Sequence, residues 1–471
     1  MIRDRTAFAL GWIALFGIVY AIVARYVLDA FPYSGDEYSL ALQAELFAKG
    51  LAKVAAPAHA EWLRVDHVVI DAWVRSKYPP GGPALLSLGA RYGHAWLVAP
   101  CAGVATLVLV WHSVRRGFGA RPALTALVVL GAAPLFIFDS ASFYAHASTL
   151  MCLAIAFAAV TAWTISQRTG WLVVIGCALG AAFLIRPPDA ILFGVAMIAF
   201  GSWRAVIVPA LCAIPFVAIN FWYQDLIFGS PFIDGYHAYT PTFTALYGAT
   251  TAAYPLSWRH LVSATQWWNH VDIFGQMCLQ WTIPGTVIAA LFGAFAIDTT
   301  DAGARMRRFS IAVVAVFCCA LMIMVSDPDD GPHPRYLSVT LIPLALLAAN
   351  GLGPLCDAIR GTFGTIVQRA FVILAIVFGL AQLGSYLQDR IPKQWKREGL
   401  YQAAAALPHD AIVIVRAQYP SRYARNGPFF DGVTYLSVSP EISAEEVARA
   451  YAGRPVFEAH EGIPWTIEPF R

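Results

Sequence analysis

The residues best suited to chemistry lie in polar segments between apolar runs. The first of these reads Phe31-Pro32-Tyr33-Ser34-Gly35-Asp36-Glu37-Tyr38 and directly follows a long apolar stretch. A carboxylate beside an apolar surface is desolvated, which raises its pKa and suits it to take a proton from a hydroxyl nucleophile. Asp36 and Glu37 are therefore candidate acid–base groups. Ser34 and Asp36 could equally cap the helix expected over 40–50, and capping is the commoner use of such residues. The same polar segment ends Ser76-Lys77-Tyr78-Pro79-Pro80-Gly81-Gly82-Pro83. Its Pro/Gly run predicts a fixed, non-helical backbone that presents Lys77 and Tyr78 at the apolar boundary. An ammonium there suits a phosphate, although an interfacial Lys/Tyr anchor has the same composition.

Further along, Arg186-Pro187-Pro188-Asp189 interrupts an apolar stretch, and Pro334-Arg335-Tyr336 opens another. Arg186 could pair with Asp189 or clamp an anionic ligand, and Arg335 is a second such cation. His146 ends the turn 139–146, while Tyr236 and His237 lie in an aromatic segment over 223–277 that also holds His260, His270, Tyr254, Trp258, Trp267 and Trp268. With Tyr336, the residues His146, Tyr236 and His237 are candidates for substrate contact. Aromatic rings can stack on sugar faces or form an interfacial belt. No histidines have a metal spacing such as HExxH, so no fixed metal site is expected.

These residues must be positioned by membrane-spanning helices. Of 471 residues, 58% are hydrophobic and 13% charged, and the mean hydropathy is +0.60. A soluble globular chain is nearer half apolar and a quarter charged. The net charge of +3 comes without a basic block, which argues against a nucleic-acid partner. The eight cysteines avoid the polar loops and suggest neither a disulfide framework nor a zinc site. A span needs about 20 apolar residues. Windows at 7–27, 95–113, 122–138, 147–165, 170–185, 189–202, 205–222, 278–297, 309–325, 337–354 and 370–387 predict about 11 spans, the first retained as a span. The short segments carrying Arg3, Arg115, Arg168, Arg204, Arg307 and Arg360 read as cytoplasmic. The opposite, outward face then receives the long first loop 28–94, the turns 139–146 and 186–188, the loop 223–277 and the tail. The tail 388–471 predicts a small α/β domain. Its expected elements are an amphipathic helix at 394–407, strands near 411–415, 434–438, 455–458 and 465–468, and a helix opened by Ser443 and Glu446.

Taken in order, Gly35-Asp36-Glu37-Tyr38, Lys77-Tyr78-Pro79-Pro80-Gly81, Arg186-Pro187, Phe228-Gly229-Ser230-Pro231 and Pro334-Arg335-Tyr336-Leu337 resemble the GT-C membrane glycosyltransferases. More narrowly, they resemble the group holding the protein O-mannosyltransferases and the aminoarabinose and galacturonic acid transferases. The resemblance runs from residue 1 to about 355. It implies a GT-C-like module over 1–387 in the bacterial inner membrane, with the N-terminus cytoplasmic and the C-terminal domain periplasmic. It implies inverting transfer of a sugar from a polyprenyl-phosphate carrier to a glycolipid, polysaccharide or protein acceptor at the outer face. By motif, Asp36 would be the general base, Glu37 its acidic neighbour and Lys77 a contact to the carrier phosphate, with Tyr78 beside it. Arg186 and Arg335 join as phosphate contacts on physical grounds. Some relatives use a divalent metal, so that cofactor stays open. A lipid-linked-sugar flippase or other transporter is the alternative, as is a non-catalytic envelope assembly protein. A transporter needs polar residues near the bilayer midplane, and the span centres hold almost none.

Overall fold

The computed structural model describes residues 2–247, 263–296, 300–323, 334–358 and 362–470. Within them, six helices are long and apolar enough to cross a membrane: Thr6–Val27, Ala95–Phe118, His146–Ser166, Trp203–Phe228, Asp301–Ile323 and Arg335–Leu352. The chain is a multi-pass membrane protein. Four more windows fall on shorter apolar helices, Ala120–Gly131, Thr169–Ile185, Pro187–Phe200 and Ile376–Ser385. The eleven expected spans are thus met only in part.

Two windows are broken, and proline explains both. The window 122–138 is a helix to Gly131 and a separate short helix Pro134–Asp139. The window 278–297 belongs to a pair, Thr265–Trp281 and Thr286–Ala294, bent by 104°. Pro134 and Pro284 cannot donate to a preceding carbonyl, and Gly285 takes a φ of +86° between the two arms. Close helix contact is set by small residues. A Cβ on Gly293 would lie 1.9 Å from the Leu347 carbonyl oxygen, so the backbones of Thr286–Ala294 and Leu341–Ala358 touch.

The first loop folds. Ser34 and Glu37 form a capping box that starts the helix Gly35–Ala48. Strands β1 (Val54–Ala55), β2 (Val68–Ile70) and β3 (Trp73–Ser76) form an antiparallel sheet in the order β1-β3-β2. The run Gly81-Gly82-Pro83, expected to exclude helix, instead begins the helix Gly81–Ala90. A proline in the first turn loses nothing there, because those N–H groups have no intrahelical partner.

A long helix runs unbroken from Thr362 to Ala404, so residues 387 and 388 both lie inside it. Beyond it, β4 (Ile412–Arg416), β5 (Thr434–Leu436), β6 (Val456–His460) and β7 (Thr466–Pro469) form a sheet ordered β5-β4-β6-β7. The pairs β4–β5 and β4–β6 are parallel and β6–β7 is antiparallel. Ser443 caps the helix Ala444–Ala450. This sheet shares a core with the first loop. Leu63 is buried among Ile412, Ile414 and Leu436, and the Ser437 amide donates to the Trp62 carbonyl at 2.7 Å.

Candidate functional site

Asp36 stands in the first turn of the capped helix Gly35–Ala48, so its position is fixed by Ser34 and Glu37. Three separated parts of the chain converge on its carboxylate. The Tyr78 hydroxyl donates to Oδ1, the His67 Nε2 lies 3.9 Å from Oδ1, and an Arg335 nitrogen lies 3.7 Å from Oδ2. Burial by itself would raise the Asp36 pKa. The charges of His67, Arg335 and Lys77, with the Tyr78 hydrogen bond, outweigh it and hold the carboxyl well below the usual range.

Lys77 is buried among rings, with Nζ 4.3 Å from the Tyr236 ring centre, 5.1 Å from Tyr239 and 5.2 Å from Tyr78. Burial pushes its pKa down to about 8, with Arg335 adding to the effect and Asp36 and Asp66 opposing it. Gly235 makes this packing feasible, because a Cβ there would meet the Lys77 carbonyl oxygen at 1.7 Å. His67, with φ +66°, is pushed down to about 4 by burial and Lys77 against the pull of Asp36 and Asp66. Its Nδ1 has no hydrogen-bond partner among the described residues.

The other two cations share a ring. The guanidinium carbons of Arg186 and Arg335 each lie 5.7 Å from the Tyr336 ring centre, and Arg335 also covers Tyr144 at 5.0 Å. Arg186 donates to Asp189 at 2.6 Å and contacts His146 Nε2 at 2.9 Å. Behind them, His146 Nδ1 is 4.0 Å from Asp139 Oδ1, and Ser338 donates to Asp139 Oδ2 at 2.7 Å. The pairing of Arg186 with Asp189 is present, and the same guanidinium stands in the cation cluster.

Glu37 is spoken for. It is fully buried, accepts from the Ser34 amide at 2.9 Å and the Phe143 amide at 3.1 Å, and lies 3.3 Å from Arg390. The turn before it is clamped by the C-terminal part of the chain. Arg397 donates to the Tyr33 carbonyl and Arg425 to those of Pro32 and Tyr33. Tyr38 donates to the Asn426 carbonyl at 2.6 Å.

The sequence-derived candidates Asp36, Lys77, Tyr78, Arg186, Arg335, Tyr236, Tyr336 and His146 thus come together. His237 does not: its ring is exposed and pairs with Asp234 at 2.9 Å near the start of its own helix. His270 is buried between the Gln266 and Leu321 carbonyls. His260, Tyr254 and Trp258 lie outside the described residues. Sequence reasoning missed His67 and Asp139, since neither stands in a motif. Among the described residues, no three His, Cys, Asp or Glu side chains come together as a metal site would require.

The family model "Dolichyl-phosphate-mannose-protein mannosyltransferase" matches residues 79–222. Comparison with curated proteins gives no match. Among solved structures, ArnT from Cupriavidus metallidurans bound to undecaprenyl phosphate is 14% identical with a TM-score of 0.54, covering 96% of this chain and 93% of that one. The oligosaccharyltransferase AglB from Archaeoglobus fulgidus, in complex with an inhibitory peptide and a dolichol-phosphate, is 10% identical with a TM-score of 0.53, covering 96% and 69%. The resemblance read from the sequence is borne out: residues 79–222 match that mannosyltransferase family model, and the fold is similar to those of ArnT and AglB.

Proposed function

We propose that the protein is a membrane glycosyltransferase that transfers a sugar from a polyprenyl-phosphate carrier to an acceptor hydroxyl, with inversion, at the outer face of the membrane. The observation that carries this reading is the meeting of Lys77, Arg335 and Arg186 beside the Asp36 carboxylate, on a wall of tyrosines. Cations so placed suit a phosphate, and a carboxylate beside them suits a hydroxyl nucleophile. The ArnT structure of similar fold holds undecaprenyl phosphate, which supports a lipid-phosphate donor.

In this reading the acceptor oxygen attacks the anomeric carbon as its bond to the phosphate oxygen breaks. The acceptor proton passes to Asp36, and the carrier leaves as a phosphate monoester with one more negative charge. Lys77, Arg335 and Arg186 stabilise that added charge, so the leaving group needs little acid help. Asp36 is a weak base while these cations face it. The donor phosphate offsets their field, and the carboxylate becomes more basic when the substrate is in place. Glu37 acts as a positioning residue, because all its described contacts hold the turn on which Asp36 stands.

The test is mass spectrometry of envelope glycolipids and glycans from cells with the wild-type chain or Asp36→Asn. A sugar present only with the wild type is expected. Identical glycans in both would overturn the reading, as would carrier transport without sugar transfer by the purified protein in vesicles.

A further inference from the structure

A polar cavity lies beside the residues that lead into the clamped turn. It measures about 650 Å³ and is lined by Asp29, Phe31, Trp395, Glu398, Tyr401 and Gln402. Its two carboxylates are held in place from behind. The buried Gln394 amide donates to Asp29 at 3.3 Å and to Glu398 at 3.1 Å, and its own Oε1 has no partner among the described residues. Asp29 and Ala30 take φ angles of +51° and +52°. Two successive non-glycine residues in the left-handed region are unusual, and such outliers cluster at ligand sites. Trp395 is 62% exposed, and the Phe31 and Tyr401 rings pack 6.1 Å apart.

The chemistry of this lining selects a ligand. Aromatic faces stack on the C–H face of a pyranose, and carboxylates and amides bind its hydroxyls. Two carboxylates repel phosphate and anionic lipid headgroups, so the fitting sugar is neutral or carries an amine. The cavity is also tied to the reaction centre. Phe31 is in its wall, and Arg397 of the same long helix holds Tyr33 just before the Asp36 helix. Seven Cα–Cα steps lead from Asp29 to Asp36, a reach of at most roughly 25 Å, which a short saccharide spans.

We propose that this cavity binds a sugar residue of the acceptor, away from the hydroxyl that is glycosylated, so that the acceptor is a saccharide or glycolipid and not a protein. The proposal rests on the transferase reading above and names the acceptor class for it. Saturation-transfer NMR on the full chain in phosphatidylcholine nanodiscs tests it, with maltose, chitobiose, glucosamine and a serine-rich peptide as probes. At least one saccharide should show transfer to its ring protons, and Trp395→Ala or Asp29→Asn with Glu398→Gln should weaken its binding at least tenfold. Trp395→Phe, which keeps a stacking face, should restore most of it. Failure of every saccharide to bind, binding unchanged in Trp395→Ala, or displacement of the saccharide by the peptide overturns the proposal. Undecaprenyl phosphate binding is measured in parallel. Its absence in the wild type would count against the donor reading and leave the result for the cavity standing.

Discussion

The Arg390 guanidinium lies 3.3 Å from the Glu37 carboxylate, and both side chains are withdrawn from solvent. The pair joins the long C-terminal helix to the residue beside Asp36. Breaking a buried pair by removing one member costs about 3–5 kcal/mol. Glu37→Ala and Arg390→Ala should therefore each lower the unfolding temperature of the purified protein by several degrees. Variants as stable as wild type would show that the pair does not hold the turn.

Asp36→Asn tests the base directly. The change keeps the size of the side chain and removes the base, so transfer should fall by about 10²–10⁴-fold while the protein still accumulates in membranes. Full activity in this variant would remove Asp36 as the base. Because its carboxyl is held well below the ordinary range, Asp36 stays ionised throughout mildly acidic conditions. Its stabilising effect is present above the unfolded carboxylate value of about 4 and is lost only as pH falls through the depressed one.

Lys77 predicts an alkaline limit. Its pKa in the folded protein is about 8, so the free enzyme loses this cation as pH rises through that value. Donor kcat/KM should fall there, and Lys77→Arg should move the fall upward or abolish it. The effect on stability has the reverse sign. Between about 8 and the unfolded value of about 10.4, the unfolded chain holds a proton that the folded one has released, so Lys77 contributes rising stability with pH. A donor profile flat from pH 7 to 9.5 would exclude Lys77 from phosphate binding.

Loss of a single cation should weaken donor use unequally. Arg335→Ala removes a charge that faces Asp36 directly and should reduce donor kcat/KM by about 10²-fold. Arg186→Ala also strands Asp189 and His146, so lower stability should accompany its kinetic loss. Donor dependence unchanged in both variants would dissolve the proposed phosphate site.

The tail should be needed for activity. Arg425 donates to the carbonyls of Pro32 and Tyr33, and its guanidinium covers the Tyr38 ring at 5.1 Å. Arg425→Ala should lower kcat by about tenfold with little change in undecaprenyl phosphate affinity, because a misplaced base slows the chemical step without touching the cations. Retained activity after deletion of 408–471 would show the tail to be accessory.

The sequence by itself determined the membrane class and most of the charged cluster. Apolar length marks a helix with no tertiary information, and Asp36, Lys77, Arg186 and Arg335 each stand at an interruption of an apolar run. The tail strands were legible from alternation and turn residues, and they fall where expected at Ile412–Arg416, Thr434–Leu436, Val456–His460 and Thr466–Pro469. The role of Glu37 was not legible, because Arg390 and the Phe143 amide approach it from distant parts of the chain. His67 and Asp139 carry no local motif, and only folding brings them beside Asp36 and His146. His237, read as a site residue from its aromatic neighbours, instead faces solvent with Asp234. Local pattern marks which segments are apolar enough to cross a bilayer and where polar residues interrupt them. Which of those residues share a few ångströms depends on helix packing and on the tail folding against the first loop, and only the tertiary structure decided that.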